Sequence, residues 1–268
     1  MNRRRKTGFT LIELLIVIGL LAALTALVLP SLSADRSEAM AGINQYNKAG
    51  TARAMYEYHD LFGEYPNDMH TGLSENSSSA SAMPGFPKPM KAKAIASRTT
   101  LDANEVESLS AAGITSVCYG DGLNSQTLAA GTSYVIETTD WSIGRSTTPM
   151  TFNGMSTYEL LAQYLGGTAE DSDSDGTPDA YDGNGRIIAL YITPTTDWSS
   201  DSSSDWSKGA VELGISLDGQ VPMPTVAVDD SSDVDFAYYA AHFIVDGTGE
   251  KPAKLVGITC SGGGALNP

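Results

Sequence analysis

Residues 8–30, GFTLIELLIVIGLLAALTALVLP, follow a short basic leader, MNRRRKT, and decide how the rest of the chain is read. From Phe9 to Leu29 the only charged residue is Glu13; all others are apolar except Thr10, Gly19 and Thr25. At about 1.5 Å of rise per residue, a helix over this run spans the roughly 30 Å hydrocarbon core of a bilayer. The sequence after it is polar and acidic, so the chain reads as one membrane-spanning helix bearing one large soluble head. Two other readings compete: a cleaved secretory signal, with Ser31-Leu32-Ser33 as a weak cut site, and a plain single-span anchor. Glu13 stands against both. A charge near the middle of a membrane helix costs roughly 2.5 kcal/mol or more, somewhat less toward its end, and such a residue calls for a functional reason and a cationic partner.

Arg3-Arg4-Arg5-Lys6, then Gly8, then Phe9-Thr10-Leu11-Ile12-Glu13-Leu14-Leu15 resembles the class III leader of type IV pilins and type II secretion pseudopilins. The resemblance covers about the first tenth of the chain. It implies cleavage by a prepilin peptidase after Gly8, N-methylation of Phe9, an assembly role for Glu13, and a helix loosened at Pro30. It further implies a bacterial inner-membrane protein with its N-terminus inside and its head in the periplasm or on an extracellular filament. Its partners would be further copies or related pilins, an inner-membrane assembly platform and a secreted cargo. The physics agrees: the basic leader stays cytoplasmic. Cleavage exposes the Phe9 amine at the membrane face, where Glu13 of a staggered neighbour can neutralise it.

The expected fold is α+β, with a long N-terminal stalk helix packed on an antiparallel-sheet head. Its parts are a leader over 1–8, a transmembrane and assembly helix over 9–30, a continuation over 31–62 and a head over 63–268. Gly63-Glu64-Tyr65-Pro66 stops the stalk and resembles the helix exit of major type II pseudopilins. The 268-residue chain is long enough for a head with a sizeable core. Its net charge of −16 becomes about −20 once Arg3, Arg4, Arg5 and Lys6 leave with the leader. Such acidity speaks against nucleic-acid partners.

Within the head, Ser74–Pro89 reads as irregular because Pro84, Pro87 and Pro89 break regular structure. Asp102/Glu105 and Ser156/Glu159 have capping-box spacing and open helices over 102–112 and 157–165. RIIALYIT (186–193) reads as a buried strand, and Thr132–Thr139 as an alternating one. Asp218-Gly219 marks a hairpin, and strands over 236–245 and 251–260 flank a second turn. Trp198 and Trp206 sit in an Asp/Ser-rich loop and are read as packing residues. Two cysteines, Cys118 and Cys260, suggest one disulfide outside the cytoplasm, with two buried thiols as the other reading. His59, His70 and His242 are too scattered to argue a metal cluster or a triad.

A second informative stretch is Asp171-Ser-Asp173-Ser-Asp175-Gly-Thr177-Pro-Asp179-Ala-Tyr-Asp182. Carboxylates occupy positions one, three, five, nine and twelve, glycine occupies six, and Thr177 supplies a carbonyl at seven. Calcium loops use this spacing, because the cation wants 6–8 oxygens at about 2.3–2.6 Å around a sharp turn. The run resembles an EF-hand-type loop and, more closely, the DxDxDGxxDxxD repeat of thrombospondin type 3 modules. It departs from the EF-hand in having Asp182 where a bidentate glutamate is usual. The competing reading is an acidic surface loop without an ion.

Together these features point to a non-enzymatic filament subunit, of a type II pseudopilus or a type IV pilus, with calcium bound in its head. The rival from another class is a calcium-stabilised adhesive or cargo-binding module on a pilin-type stem. No GxSxG, HExxH or P-loop motif supports an enzyme.

Overall fold

The computed structural model describes residues 11, 14–18, 48–82, 88–120, 124–141, 150–172, 174, 176–192, 227–228, 235–236 and 239–260. The chain divides into two compact units, Met1–Ile43 and Asn44–Pro268. In the first, Leu11 and Leu14–Ile18 are helical with exposed apolar side chains. Most of 9–30, and residues 31–47 of the expected continuation over 31–62, lie outside the described residues. Among the described residues no helix is long and apolar enough to cross a membrane.

The second unit opens with α1 (helical over residues 48–62). Thr51, Ala54, Met55 and Tyr58 are buried at i, i+3, i+4 and i+7, one stripe of an amphipathic helix. The apolar members of that stripe join the same core as the sheet, so the packed head begins before residue 63. Gly63 ends the helix as expected: its φ is +75° and its N–H returns to the His59 carbonyl at 2.8 Å. Tyr65 then turns inward, edge-on to Phe243 with ring centroids 5.1 Å apart.

Among the described residues fourteen strands follow, eight of them in the main sheet. Its axis is β10 (Gly185–Ile192), buried from Ile187 onward. Along one edge β10 pairs antiparallel over its full length with β13 (Tyr239–Asp246), which pairs with β14 (Lys254–Cys260). The other edge is shared. Its first half pairs with β5 (Tyr134–Glu137), which leads to β2 (Arg98–Thr100). Its far end pairs, at Tyr191, with β1 (Met69–His70), which leads to β3 (Ser116–Tyr119) and β4 (Asn124–Thr127). The sheet thus forks at β10. The expected all-antiparallel sheet is corrected to a mixed one, because β1 and β3 run parallel. A parallel pair needs a long crossover, which here contains α2 (Lys88–Ala96), β2 and α3 (Ala103–Ala111).

Both capping boxes are present, at Asp102/Glu105 on α3 and at Ser156/Glu159 on α4 (Thr157–Leu165). The helix α2 overrides the irregular reading of Ser74–Pro89 at its end. Pro89 sits in the first turn, where its missing N–H has no intrahelical partner to lose. Two short hairpins, β6 (Thr151–Phe152) with β7 (Met155–Ser156) and β8 (Ala169–Glu170) with β9 (Ala180–Tyr181), flank α4. The strands β11 (Ala227–Val228) and β12 (Asp235–Phe236) pair with each other. The Asp218-Gly219 hairpin and both loop tryptophans lie outside the described residues.

Arg186, at the start of β10, ties the layers together. Its Nε lies 2.6 Å from Glu105 Oε1, and its Nη2 donates to Glu105 Oε2 at 2.7 Å. The same guanidinium donates to the Thr100 carbonyl, to Thr99 Oγ1 and to Glu137 Oε2. The Glu105 side chain is only 6 % exposed. Removing one partner of such a pair strands a buried charge, so Arg186→Met should cost about 3–5 kcal/mol of unfolding free energy. The double change Arg186→Met with Glu105→Gln should cost clearly less than Arg186→Met alone, as read by urea unfolding of the full chain in detergent.

Two imidazoles are buried in the sheet. His70 Nδ1 accepts from the Gly72 N–H at 2.9 Å, so its Nε2 carries the proton and donates to the Gly120 carbonyl. His242 lies between Thr138 Oγ1 and Thr259 Oγ1, at 3.0 and 2.7 Å. Burial pushes their pKa values down from 6.5, to about 4 for His70 and about 3 for His242. Unfolding frees both rings to take up protons below pH 6.5. Their stabilisation is therefore complete above that pH and is lost as pH falls toward 4. His70→Asn keeps an acceptor for Gly72 but cannot charge. Near pH 5 it should reduce the pH slope of stability by about 1.4 kcal/mol per pH unit, measured by urea titrations across pH 4.5–6.5.

Candidate functional site

Two stretches carry functional expectations. The first is the N-terminal motif. Gly8, Phe9 and Glu13 lie outside the described residues, and the nearest described positions, Leu11 and Leu14–Ile18, are helical.

The second stretch is the acidic loop. β8 and β9 pair Ala169 with Tyr181 and Glu170 with Ala180, so residues 171–179 form the loop of a hairpin projecting after α4. Asp173 and Asp175 lie outside the described residues. Asp171 folds back over the loop, and its Oδ2 accepts from the Gly176 N–H at 2.9 Å. Ser174 and Gly176 both have positive φ, 61° and 90°, giving the sharp turn the spacing predicts. Asp179 closes the loop from the other side, accepting from the Ser172 N–H at 3.0 Å and from its hydroxyl at 2.5 Å. These bonds hold the Asp179 carboxyl below the usual carboxylate range.

Asp182 does not join them. Its Oδ1 accepts from the Thr168 N–H and its Oδ2 from Thr168 Oγ1, both at 2.6 Å, which likewise lowers its carboxyl pKa. It stands three residues beyond Asp179, about 10 Å along an extended strand, and braces the base of the hairpin. Among the described residues no three potential ligand side chains cluster closely enough to hold a metal. Asp171 and Asp179 thus close the described part of the loop from opposite sides, while Asp182 bonds to Thr168 at its base.

The disulfide expectation is corrected. Cys118 is a buried free thiol on β3, and burial raises its pKa to about 12. Cys118 pairs with His70, His70 with Tyr191, Tyr191 with Ala240, and Ala240 with Thr259, the neighbour of Cys260. Four strand spacings of about 4.8 Å put the two cysteines roughly 19 Å apart, far beyond the roughly 7 Å limit between bridged Cα atoms. Residue spacing along the chain holds no information on which strands of a forked sheet lie side by side.

Sequence reasoning also missed Asp246, a buried carboxylate at the β13–β14 turn. It accepts from the Thr248 N–H and hydroxyl and from the Lys251 N–H. The Asp246-Gly-Thr248 turn signal was visible; the burial that makes the carboxylate an organiser was not. Its partners are all local donors, so its role is to shape the turn.

Residues 3–29 match the family described as the prokaryotic N-terminal methylation motif. The chain therefore carries a prepilin-type signal, that of a type IV pilin-like or pseudopilin precursor, and the motif implies processing by prepilin peptidase. No curated protein and no solved structure matches the chain.

The corrected cysteine geometry sets a test. Alkylation of the denatured, unreduced chain should label Cys118 as a free thiol, and reductant should leave the melting temperature of the folded chain unchanged; peptide mass spectrometry and thermal scans read the two outcomes.

Proposed function

We propose that this protein is a structural, non-enzymatic subunit of a pilin-type filament, a type II secretion pseudopilus or a type IV pilus. The observation that carries the reading is the methylation motif at residues 3–29, with Glu13 set inside its apolar run. Prepilin peptidase cuts after Gly8 and Phe9 is methylated. The helix then leaves the bilayer for the filament, where Glu13 of one subunit meets the Phe9 amine of the next. Pseudopilus is preferred over pilus because the Gly63-Glu64-Tyr65-Pro66 exit resembles that of major type II pseudopilins.

Calcium in the 171–179 hairpin loop completes the proposal. Asp171, Asp173, Asp175 and Asp179 supply carboxylates and Thr177 a carbonyl, while Asp182 acts as a brace and not as a ligand. The support is the ligand spacing together with the turn closed by Asp171 on Gly176 and by Asp179 on Ser172. The ion would screen crowded like charges and couple to folding of the loop.

Two measurements test this reading. Intact mass of the protein from native membranes should correspond to a chain starting at methylated Phe9, and Glu13→Leu should insert normally yet give few or no filaments by electron microscopy. A start near Asp35, or normal filaments from Glu13→Leu, would overturn it. Separately, calcium at about 100 times its dissociation constant should stabilise the parent chain by about 2.7 kcal/mol. Asp171→Ala should lose that gain, while Asp182→Asn should retain it despite a lower baseline.

A further inference from the structure

Two asparagines of the chain precede glycine, in Asn153–Gly154 and Asn184–Gly185. The sequence makes the two pairs equivalent; the structure does not. Both asparagines are exposed, but Asn184 is held. Its Nδ2 donates to the Gly247 carbonyl at 2.9 Å, and its own backbone carbonyl accepts from the Gly247 N–H at 3.0 Å. The nitrogen that follows belongs to Gly185, the first residue of β10, paired opposite Asp246. It is packed so closely that a Cβ there would run into Leu165 and the Val245 carbonyl.

Asn153 and Gly154 form the turn between β6 and β7, where Thr151 pairs with Ser156 and Phe152 with Met155. Their φ values are +52° and +81°, the two left-handed residues that a type I′ hairpin turn requires. Phe152 anchors β6 in the core, with its ring 5.2 Å from that of His242. Beyond it the turn faces solvent. Among the described residues the Asn153 side chain has no hydrogen-bond partner, and a Cβ built on Gly154 meets open space. Among the same residues β6 and β7 pair only with each other, and so short a two-stranded ribbon is marginally stable.

An asparagine before glycine places an electrophilic carboxamide carbon beside a backbone nitrogen that no Cβ shields. We infer that Asn153–Gly154 is a self-modification site of the folded head, with water as its co-reactant, and that Asn184–Gly185 is protected. The Gly154 nitrogen bonds to Asn153 Cγ, and the Cγ–Nδ2 bond breaks. The backbone proton passes through solvent to the departing nitrogen, which leaves as ammonia, and a succinimide ring remains. Water then opens the ring at one of its two C–N bonds. One opening gives aspartate; the other gives isoaspartate, whose main chain runs through the former side chain. No atom changes oxidation state. The attack needs the turn to open, so its rate follows the local opening free energy. That cost is small at a turn closed by two residue pairs. At Asn184 both bonds to Gly247 and the start of β10 must break first. Each event adds one negative charge, and the iso-form lengthens the main chain just ahead of Ser156, the cap of α4. The inference is independent of the filament reading.

The test incubates the full chain in mildly alkaline buffer with detergent, folded in one sample and unfolded in urea in another. Peptide mass spectrometry follows conversion of amide to acid at both sites, and enzymatic methylation counts isoaspartate. In urea the two sites should convert within about threefold of each other, whereas in the folded chain Asn153 should convert at least about tenfold faster than Asn184. Equal folded rates, a faster Asn184, or an Asn153 that converts only in urea would each overturn the inference. So would a tenfold difference already present in urea, because the fold would then not be its cause.

Discussion

A half-buried guanidinium carries the junction on which the head depends. Arg186 sits at the half-buried start of β10, and its neighbours are polar groups that need a donor or a counter-charge there. Glu105 needs a counter-charge, the Thr100 carbonyl needs a donor, and Glu137 faces the same corner. The planar fork of arginine meets these demands with one side chain, which the point charge of a lysine would not. Glu105 meanwhile accepts from the Asp102 N–H and so caps α3. Helix start, β2 and β10 are fixed by the same set of hydrogen bonds, and a shift in any of them would strand charge in a dry environment.

From that corner the architecture extends along β10. One edge is claimed entirely by β13, and the other is divided between β5 and β1. The fork lets two layers of chain reach one buried strand, which explains how α1, α3 and α4 all contribute to one core. It also isolates the functional expectations from the core. The acidic hairpin projects after α4 and is tethered by Asp182 to Thr168 and by the Tyr181 hydroxyl to the Gly166 carbonyl.

Local signals in the sequence were the readable ones. Asp102/Glu105 and Ser156/Glu159 declare helix starts because their partners lie three residues away. RIIALYIT declares a buried strand by composition, and Gly63 declares a helix end by its conformational freedom. The turn in the acidic loop is equally local, and Asp171 does fold onto Gly176. What the sequence withheld is pairing between distant segments. Nothing near Cys118 says that four strand spacings separate it from the β14 end, nothing near Arg186 names Glu105, and nothing in the DxDxDG pattern says that Asp182 answers to Thr168. Pro89 misled for a different reason: a proline at a helix start and a proline in a loop look alike until the following turn is seen to close.

The order in which the strands occur has a consequence for biogenesis. β10 is synthesised before β13, its full-length neighbour, and β14 ends only at residue 260. Until those last strands are made, the central strand has one unpaired edge and the buried face of α3 lacks its support. The head therefore closes late, around its own C-terminal hairpin. A chain cut short before residue 239 would lack both β13 and β14 and leave the long edge of β10 open, the kind of sheet edge that invites misassociation.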